Sequence, residues 1–351
     1  RIMHVVLLAR KTLYTQPGGD TVQVEETASA LRRCGHEASI VLAGDALPRK
    51  ANVLHGFNLG RPADLLPYFR SFKGKKILSS IYVDYSLADQ QRFPVLYSLV
   101  GKHGLEYVKT IARALNGSDR FPGAQYMAVG QKSQVCTLLR LTDLLITSSK
   151  SEKERIQDDF GSLSCRVKTV PLGIGASFLE PYEEAKERKG LLLLGRLEWL
   201  KNQKTIITWA TANNWPLTVV GDANTNQRKY YDDCLAQAGP TVTFLPYTAG
   251  DELKQLLRTH HTLLIPSHFE TFSLVGWEAA AQGMQVLYND VADMNETLAP
   301  VGIPIQIEDK ASAVTAITRA LNGNLAQKKS HDLLESRSWD TIILELLDAY
   351  A

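Results

Sequence analysis

Four charged side chains carry spacing that could do chemistry together. Glu270 and Glu278 are separated by seven residues, and the apolar run Thr262–Ile265 before them reads as a buried strand. Glu270 then falls in the loop beyond the strand's carboxyl end, and Glu278 about two turns into a helix predicted over Ser273–Gln282. Carboxylates hold hydroxyl groups, while the amides of Phe272, Ser273 and Leu274 at the helix start form a seat for phosphate. Upstream, the strand-like Leu191–Leu194 leads into Gly195-Arg196, and Lys201 follows five residues later at another helix start. Two cations fixed over one sheet edge can take up the charge of a departing diphosphate. A sugar nucleotide is the ligand that suits all four. On these residues alone, a chance glutamate spacing and a surface pair capping a sheet remain open.

The elements that must position them alternate strand and helix along the chain. Residues 2–9 read as a first strand, and a loop containing Gly18-Gly19 leads into a helix over Thr21–Cys34 that stops at Gly35. Glu37–Leu42 completes a doubly wound opening. The glycine pair lets backbone approach a ligand, although a plain turn explains it as well. Further strands are predicted at Asn52–His55, Lys76–Tyr82, Asp143–Thr147 and Val167–Val170. His55, Tyr82 and Asp84 lie at or beyond strand carboxyl ends, where such sheets bind ligands, so they are candidates for acceptor contact or acid–base work. For His55 a satisfied structural histidine competes with that role. Leu87–Lys132 reads as helices and loops that could shape an acceptor pocket or a membrane face. The stretch Pro171–Gly175 divides the chain into domains 1–172 and 173–337. In the second domain, strands are predicted at Leu191–Leu194, Leu217–Val220, Val242–Leu245, Thr262–Ile265 and Gln285–Tyr288, with helices between them. A last helix, 338–351, carries apolar Ile342, Ile343, Leu346 and Leu347 at helical spacing.

Composition narrows the class. At 351 residues, two domains are the default. Cys34, Cys136, Cys165 and Cys234 show no C-x-x-C spacing, which argues against a disulfide framework or a cysteine-built zinc site and for a reducing, cytoplasmic setting. No metal site is expected. No apolar run reaches the ~18 residues of a membrane-spanning helix, and the apolar start reads as a strand and not as a signal peptide. The net charge of +2 hides an asymmetry: residues 1–172 carry 24 Lys+Arg against 15 Asp+Glu, and the remainder 15 against 22. Cations including Lys102, Lys109, Arg113, Arg120, Lys132 and Arg155 crowd 102–168. A solvated helical face explains them; an anionic membrane surface or a phosphorylated acceptor would also suit. Nucleic acid does not, because the charges are dispersed and not interleaved with aromatic residues.

Gly195-Arg196 with Lys201-Asn202, then Pro266-Ser267, Glu270-x7-Glu278 and Ala279-Ala280-Ala281-Gln282-Gly283, resembles the retaining glycosyltransferases of the GT-B fold, family four type. Gly18-Gly19, Gly35-His36-Glu37, Val170-Pro-Leu-Gly-Ile174 and Val219-Val-Gly221 fit the same pattern. The resemblance implies two Rossmann-like α/β domains facing across a cleft, with the terminal helix crossing back to the first. It implies transfer of a hexosyl unit, with retention, from a UDP- or GDP-sugar to a glycan or lipid-linked acceptor, as in bacterial surface polysaccharide assembly. No cofactor or metal is expected. Arg196 and Lys201 would neutralise the diphosphate, Glu270 would hold sugar hydroxyls, and Glu278 the ribose. Gly18, Gly19, Thr271, Phe272, Ser273 and Leu274 would contact the donor and Tyr247 would lie near its base, with Asp84 catalytic and His55 and Tyr82 on the acceptor. Ile81-Tyr-Val-Asp84 departs from the family's usual His-Asp, and Gly175 stands where an Asp is usual. A hydrolysing nucleotide-sugar epimerase of the same fold, or a non-catalytic sugar-nucleotide-binding protein, are the competing readings.

Overall fold

A computed structural model describes residues 2–117, 121–183, 185, 187–323 and 329–350. Arg120 of the basic set lies outside the described residues. The chain divides into two compact units, 1–172 with 339–351, and 173–338.

The first unit is built on a six-stranded parallel sheet of β1 (His4–Ala9), β2 (Glu37–Leu42), β3 (Val53–Phe57), β4 (Lys75–Ser79), β5 (Leu144–Thr147) and β6 (Arg166–Thr169), in the order β2-β1-β3-β4-β5-β6. Its strands β1 and β5 are near-continuous apolar runs because both faces are covered. Helices α1 (Gly19–Arg33), α2 (Pro62–Ser71), α3 (Ser86–Arg92), α4 (Pro94–Leu115), α5 (Ala124–Leu141) and α6 (Lys150–Phe160) form the connections. Val6, Leu8, Leu54, Leu78 and Leu145 pack on one side with Phe69, Leu138 and Ile156 of the helices. Val5, Leu7 and Ile77 pack on the other with Val24 and Leu31. Left-handed backbone at Gly101 (φ 66°) and Gly130 (φ 77°) kinks α4 and α5. The strand expected over 76–82 stops at Ser79, because Ile81 turns into positive φ (39°) and carries the chain off the sheet.

The second unit repeats the scheme with β7 (Leu191–Leu194), β8 (Leu217–Val220), β9 (Val242–Leu245), β10 (Thr262–Ile265), β11 (Gln285–Asn289) and β12 (Ile303–Ile305), ordered β12-β11-β10-β7-β8-β9 and parallel throughout. Helix α7 (Ala176–Leu179) precedes β7; α8 (Gln203–Asn213), α9 (Arg228–Gln237), α10 (Gly250–Thr259), α11 (Leu274–Ala281) and α12 (Ala292–Leu298) run between the strands; α13 (Lys310–Leu321) and α14 (His331–Glu335) follow β12. Leu191, Leu193, Val219, Leu264 and Leu287 pack against Ile206, Ile207, Trp209 and Ile317. The edge strand β12 and the helices α12 and α14 are too short for a readable periodic signal, and α2 is obscured by Pro62 and Pro67, which read as breakers.

The final helix, α15 (Trp339–Tyr350), belongs to the first unit and packs against α1. Trp339, Ile342, Ile343 and Leu346 enter the core that holds Leu31 and Val170, and Arg33 pairs with Asp340 at 2.7 Å. Trp339 is 2% exposed, yet its indole N–H has no hydrogen-bond partner. Its contribution is therefore packing alone. Trp339→Ala is expected to lower unfolding free energy by about 3–5 kcal/mol. Trp339→Phe, which leaves no buried donor unpaired, should retain most of it; urea unfolding of both variants checks the pair.

Candidate functional site

Both sheets place a reversal of strand order at a loop that the sequence singled out. In the second unit the chain leaves β7 toward β8 and β9, then returns to the opposite side of β7 at β10. The loops leaving β7 and β10 therefore diverge at their carboxyl ends, which is where open α/β sheets bind ligands. Gly195-Arg196 leaves β7 and Ser267–Glu270 leaves β10. The first turn is tight: Gly195 (φ 133°) and Gly221 (φ 140°) both hold backbone open to glycine, and a Cβ on Gly221 would collide with the Gly195 carbonyl oxygen. Gly195 and Leu197 donate to the carbonyls of Val220 and Asp222, lacing the turn onto the end of β8.

A 3₁₀ turn over Trp199–Lys201 follows, closed by Asn202 in the left-handed region (φ 55°), a conformation asparagine tolerates better than most residues. Asn202 Nδ2 donates to the Pro266 carbonyl at 3.2 Å, and the His268 amide donates to the Leu200 carbonyl at 2.8 Å. The rings of Trp199 and His268 stack with centroids 4.5 Å apart. These ties join the two loops and bring Lys201 Nζ to 2.5 Å from Glu270 Oε1, sixty-nine positions apart in the chain. Ser267 Oγ donates to the same oxygen at 2.8 Å. The Arg196 guanidinium lies 3.8 Å from Glu198, while Gln203 donates to the Arg196 carbonyl at 2.8 Å.

Helix α11 begins at Leu274 with Ser273 as its N-cap. The amides of Phe272, Ser273 and Leu274 precede the intrahelical ladder, and among the described residues none of the three donates elsewhere. The positive end of the helix dipole lies here. Its opposite end is covered: Arg188 donates to the Gln282 carbonyl at 2.6 Å and Arg258 to the Gln282 side chain at 2.6 Å. Because the helix starts at Leu274, Glu278 stands one turn in, not two, and is buried at 8% exposure with partners inside the fold. Thr271 is half-buried in the loop. Tyr247, after β9, is 55% exposed, and its amide donates to Asp222 at 3.2 Å.

In the first unit the order reverses between β1 and β3, and the loop leaving β1 carries Gly18 and Gly19. Arg10 rivets that loop: its guanidinium grips both carboxylate oxygens of Asp20 and also donates to the Thr12 carbonyl and hydroxyl and to the Gln16 carbonyl. Gly18 caps α1 in extended backbone, and a Cβ on Gly19 would meet nothing within 4 Å. Arg10 and Asp20 were missed by motif reading because neither lies in the glycine pair.

The acceptor role expected of His55 is not open to it. The ring is 1% exposed, with Nδ1 2.7 Å from the Tyr350 hydroxyl and Nε2 2.8 Å from Ser79 Oγ. Tyr82 is likewise inside, 6% exposed, donating to Asp159 at 2.6 Å, and burial followed by that carboxylate pushes its phenol up. Asp84 remains half-buried. Burial raises its carboxyl, but the Ser86 hydrogen bonds and Lys102, 3.4 Å away, outweigh that and leave it lowered. Lys102 joins Asp84 to Asp159 (2.6 Å), a link invisible in sequence because its three members come from different elements. Beneath them the buried Glu152 accepts from Ser80 Oγ, the Tyr82 amide and Ser148, tying the ends of β4 and β5 together.

Two stability measurements follow from this geometry. Gly221→Ala should cost about 3 kcal/mol or more by chemical denaturation, since strain and a backbone clash add. Burial pushes His55 down to about 3, so the unfolded chain binds the extra proton below about pH 6.5. Stability should then fall as pH drops from 6.5 toward 3, by up to about 1.4 kcal/mol per pH unit, and be fully present above 6.5. His55→Gln should flatten that slope in urea titrations at pH 4 to 6.

Residues 177–336 match the family model described as glycosyl transferases group 1. The whole chain is similar to an uncharacterized glycosyltransferase of Methanocaldococcus jannaschii, 24% identical over 95% of this chain and 94% of that one. In fold it is similar to sucrose-phosphate synthase from Thermosynechococcus elongatus, with a TM-score of 0.72 and 15% identity over 99% of this chain and 98% of that one. It is also similar to an Anabaena protein solved in complex with UDP and glucose, with a TM-score of 0.67 and 12% identity over 99% of both chains. The two parallel six-stranded sheets match the GT-B fold of these solved structures, and residues 177–336 are similar to the glycosyl transferases group 1 family.

Proposed function

We propose that this protein transfers a hexosyl unit, with retention of anomeric configuration, from a nucleoside diphosphate sugar to a glycan or lipid-linked acceptor. The observation that carries this reading is the Lys201–Glu270 pair at the strand-order reversal, beside the open amides of α11. A cation, a row of donors and a carboxylate in one place match a diphosphate joined to a sugar. Arg196 and Lys201 would neutralise charge developing on the leaving diphosphate, with Phe272, Ser273 and Leu274 adding amides. Glu270 would hold donor hydroxyls and Glu278 the ribose. Glu270 is already bound to Lys201 and Ser267, which favours a holding role over that of a nucleophile. Front-face attack assisted by the leaving phosphate suits this set without a metal. The relative whose complex contains UDP and glucose supports a uridine donor; a guanosine donor is the alternative tested alongside it.

In this reading the second unit binds the donor and the first handles the acceptor, with Asp84 on its reactive edge. Among the described residues no helix is long and apolar enough to cross a membrane. Docking on an anionic surface from the cytoplasmic side rests on fewer cations than the charge count suggests, because Lys102 and Lys109 are already paired with carboxylates. Acceptor-dependent turnover of UDP- and GDP-sugars tests the whole proposal. Alanine at Arg196, Lys201 or Glu270 should lower kcat/KM by about 100-fold or more. Full activity in all three variants would sink it, and sugar release without any acceptor would favour the epimerase reading.

A further inference from the structure

Glu270 is held in an unequal way. Lys201 Nζ and Ser267 Oγ both contact Oε1, at 2.5 and 2.8 Å, and Oε2 takes no hydrogen bond from the described residues. Ser267 is 2% exposed, and its own backbone is fixed from the neighbouring strand end. Asn289, the last residue of β11 and 6% exposed, donates Nδ2 to the Ser267 carbonyl at 3.1 Å, while its Oδ1 accepts from the Ile307 amide at 3.4 Å. A buried relay thus runs from β11 through Asn289 and Ser267 to one oxygen of the carboxylate.

A glutamate has three rotatable bonds, and an ion pair with a flexible lysine does not by itself fix which oxygen faces outward. A hydroxyl on a rigid loop does. We propose that Ser267, seated by Asn289, is a positioning residue that pins Glu270 Oε1 beside Lys201 so that Oε2 is presented to the sugar of the donor. This rests on the nucleotide-sugar reading of the site. Its consequence is selective: Ser267 acts on recognition of the sugar and not of the nucleoside diphosphate, which other groups bind.

The test compares wild type with Ser267→Ala in two ways. Crystal structures of the ligand-free proteins read the carboxylate directly; the expectation is that Oε1 leaves its wild-type position in Ser267→Ala and returns to it in Ser267→Thr. Steady-state kinetics and titrations read the function. KM for the nucleotide sugar should rise about tenfold on loss of one hydrogen bond to a charged group. Affinity for the free nucleoside diphosphate should stay within about twofold, the melting temperature should be little changed, and Ser267→Thr should restore KM. An unmoved carboxylate, or equal weakening toward nucleotide sugar and free diphosphate, overturns the proposal. If Ser267→Ala does not fold, Ser267→Cys, of similar size but a weak donor, takes its place. Wild type inert toward every nucleotide sugar would sink the functional reading instead, and the crystallographic comparison would still decide whether Ser267 positions Glu270.

Discussion

An ammonium and a carboxylate from distant parts of the chain meet at 2.5 Å, and much of the second unit is arranged so that they can. Lys201 comes from the loop after β7 and Glu270 from the loop after β10. Those loops are neighbours only because the sheet reverses its strand order between these two strands. The glycine pair 195/221 lets the first loop turn sharply, the left-handed Asn202 ends the 3₁₀ turn, and the Trp199–His268 stack and backbone bonds close the gap. Each device is local. Their joint product is a pair of opposite charges fixed at one point on the sheet edge.

Helix α11 supplies the rest of the local field. It is buried along most of its length, so its dipole is poorly screened by solvent. Two arginines cover its carboxyl end, while its amino end opens beside Glu270. A dianionic group would meet cation and amides together there, and a neutral hydroxylated group would meet the carboxylate. This division of labour explains why two glutamates so close in sequence need not share a role. Glu270 is loop-borne and tied to a cation; Glu278 is buried inside the helix.

Much of this was legible from residue order. The strands β7 to β11 are short apolar runs bounded by glycine, proline or polar residues, and their positions follow from that pattern almost residue for residue. The two cations and two glutamates drew attention because their motif spacing is short, and of these the structure brings Lys201 and Glu270 together. What the sequence hid was long-range. His55 looked like a ligand-facing residue because it lies near a strand's carboxyl end; its burial under Tyr350 comes from α15, nearly three hundred residues later. Tyr82 and Asp84 looked free because Asp159 and Lys102 approach them from α6 and α4. The basic excess of the first unit read as a solvated face or an anionic-surface footing, but at Lys102 and Lys109 it compensates the half-buried Asp159 and the buried Asp89. Ser267 was visible as part of a motif, but its ties to Glu270 and Asn289 were not, because hydrogen bonds between strand ends leave no periodic trace.

In the proposed reading a nucleoside diphosphate sugar sits on the loops after β7 and β10 and on the start of α11. Hydrogen–deuterium exchange of the intact protein, with and without saturating UDP- and GDP-sugars, tests it most directly. One donor should slow exchange in the segments 195–203 and 268–278, with the amides of Phe272, Ser273 and Leu274 among the most protected. Binding that leaves both segments unprotected, or the absence of binding by any donor of either class, would contradict it.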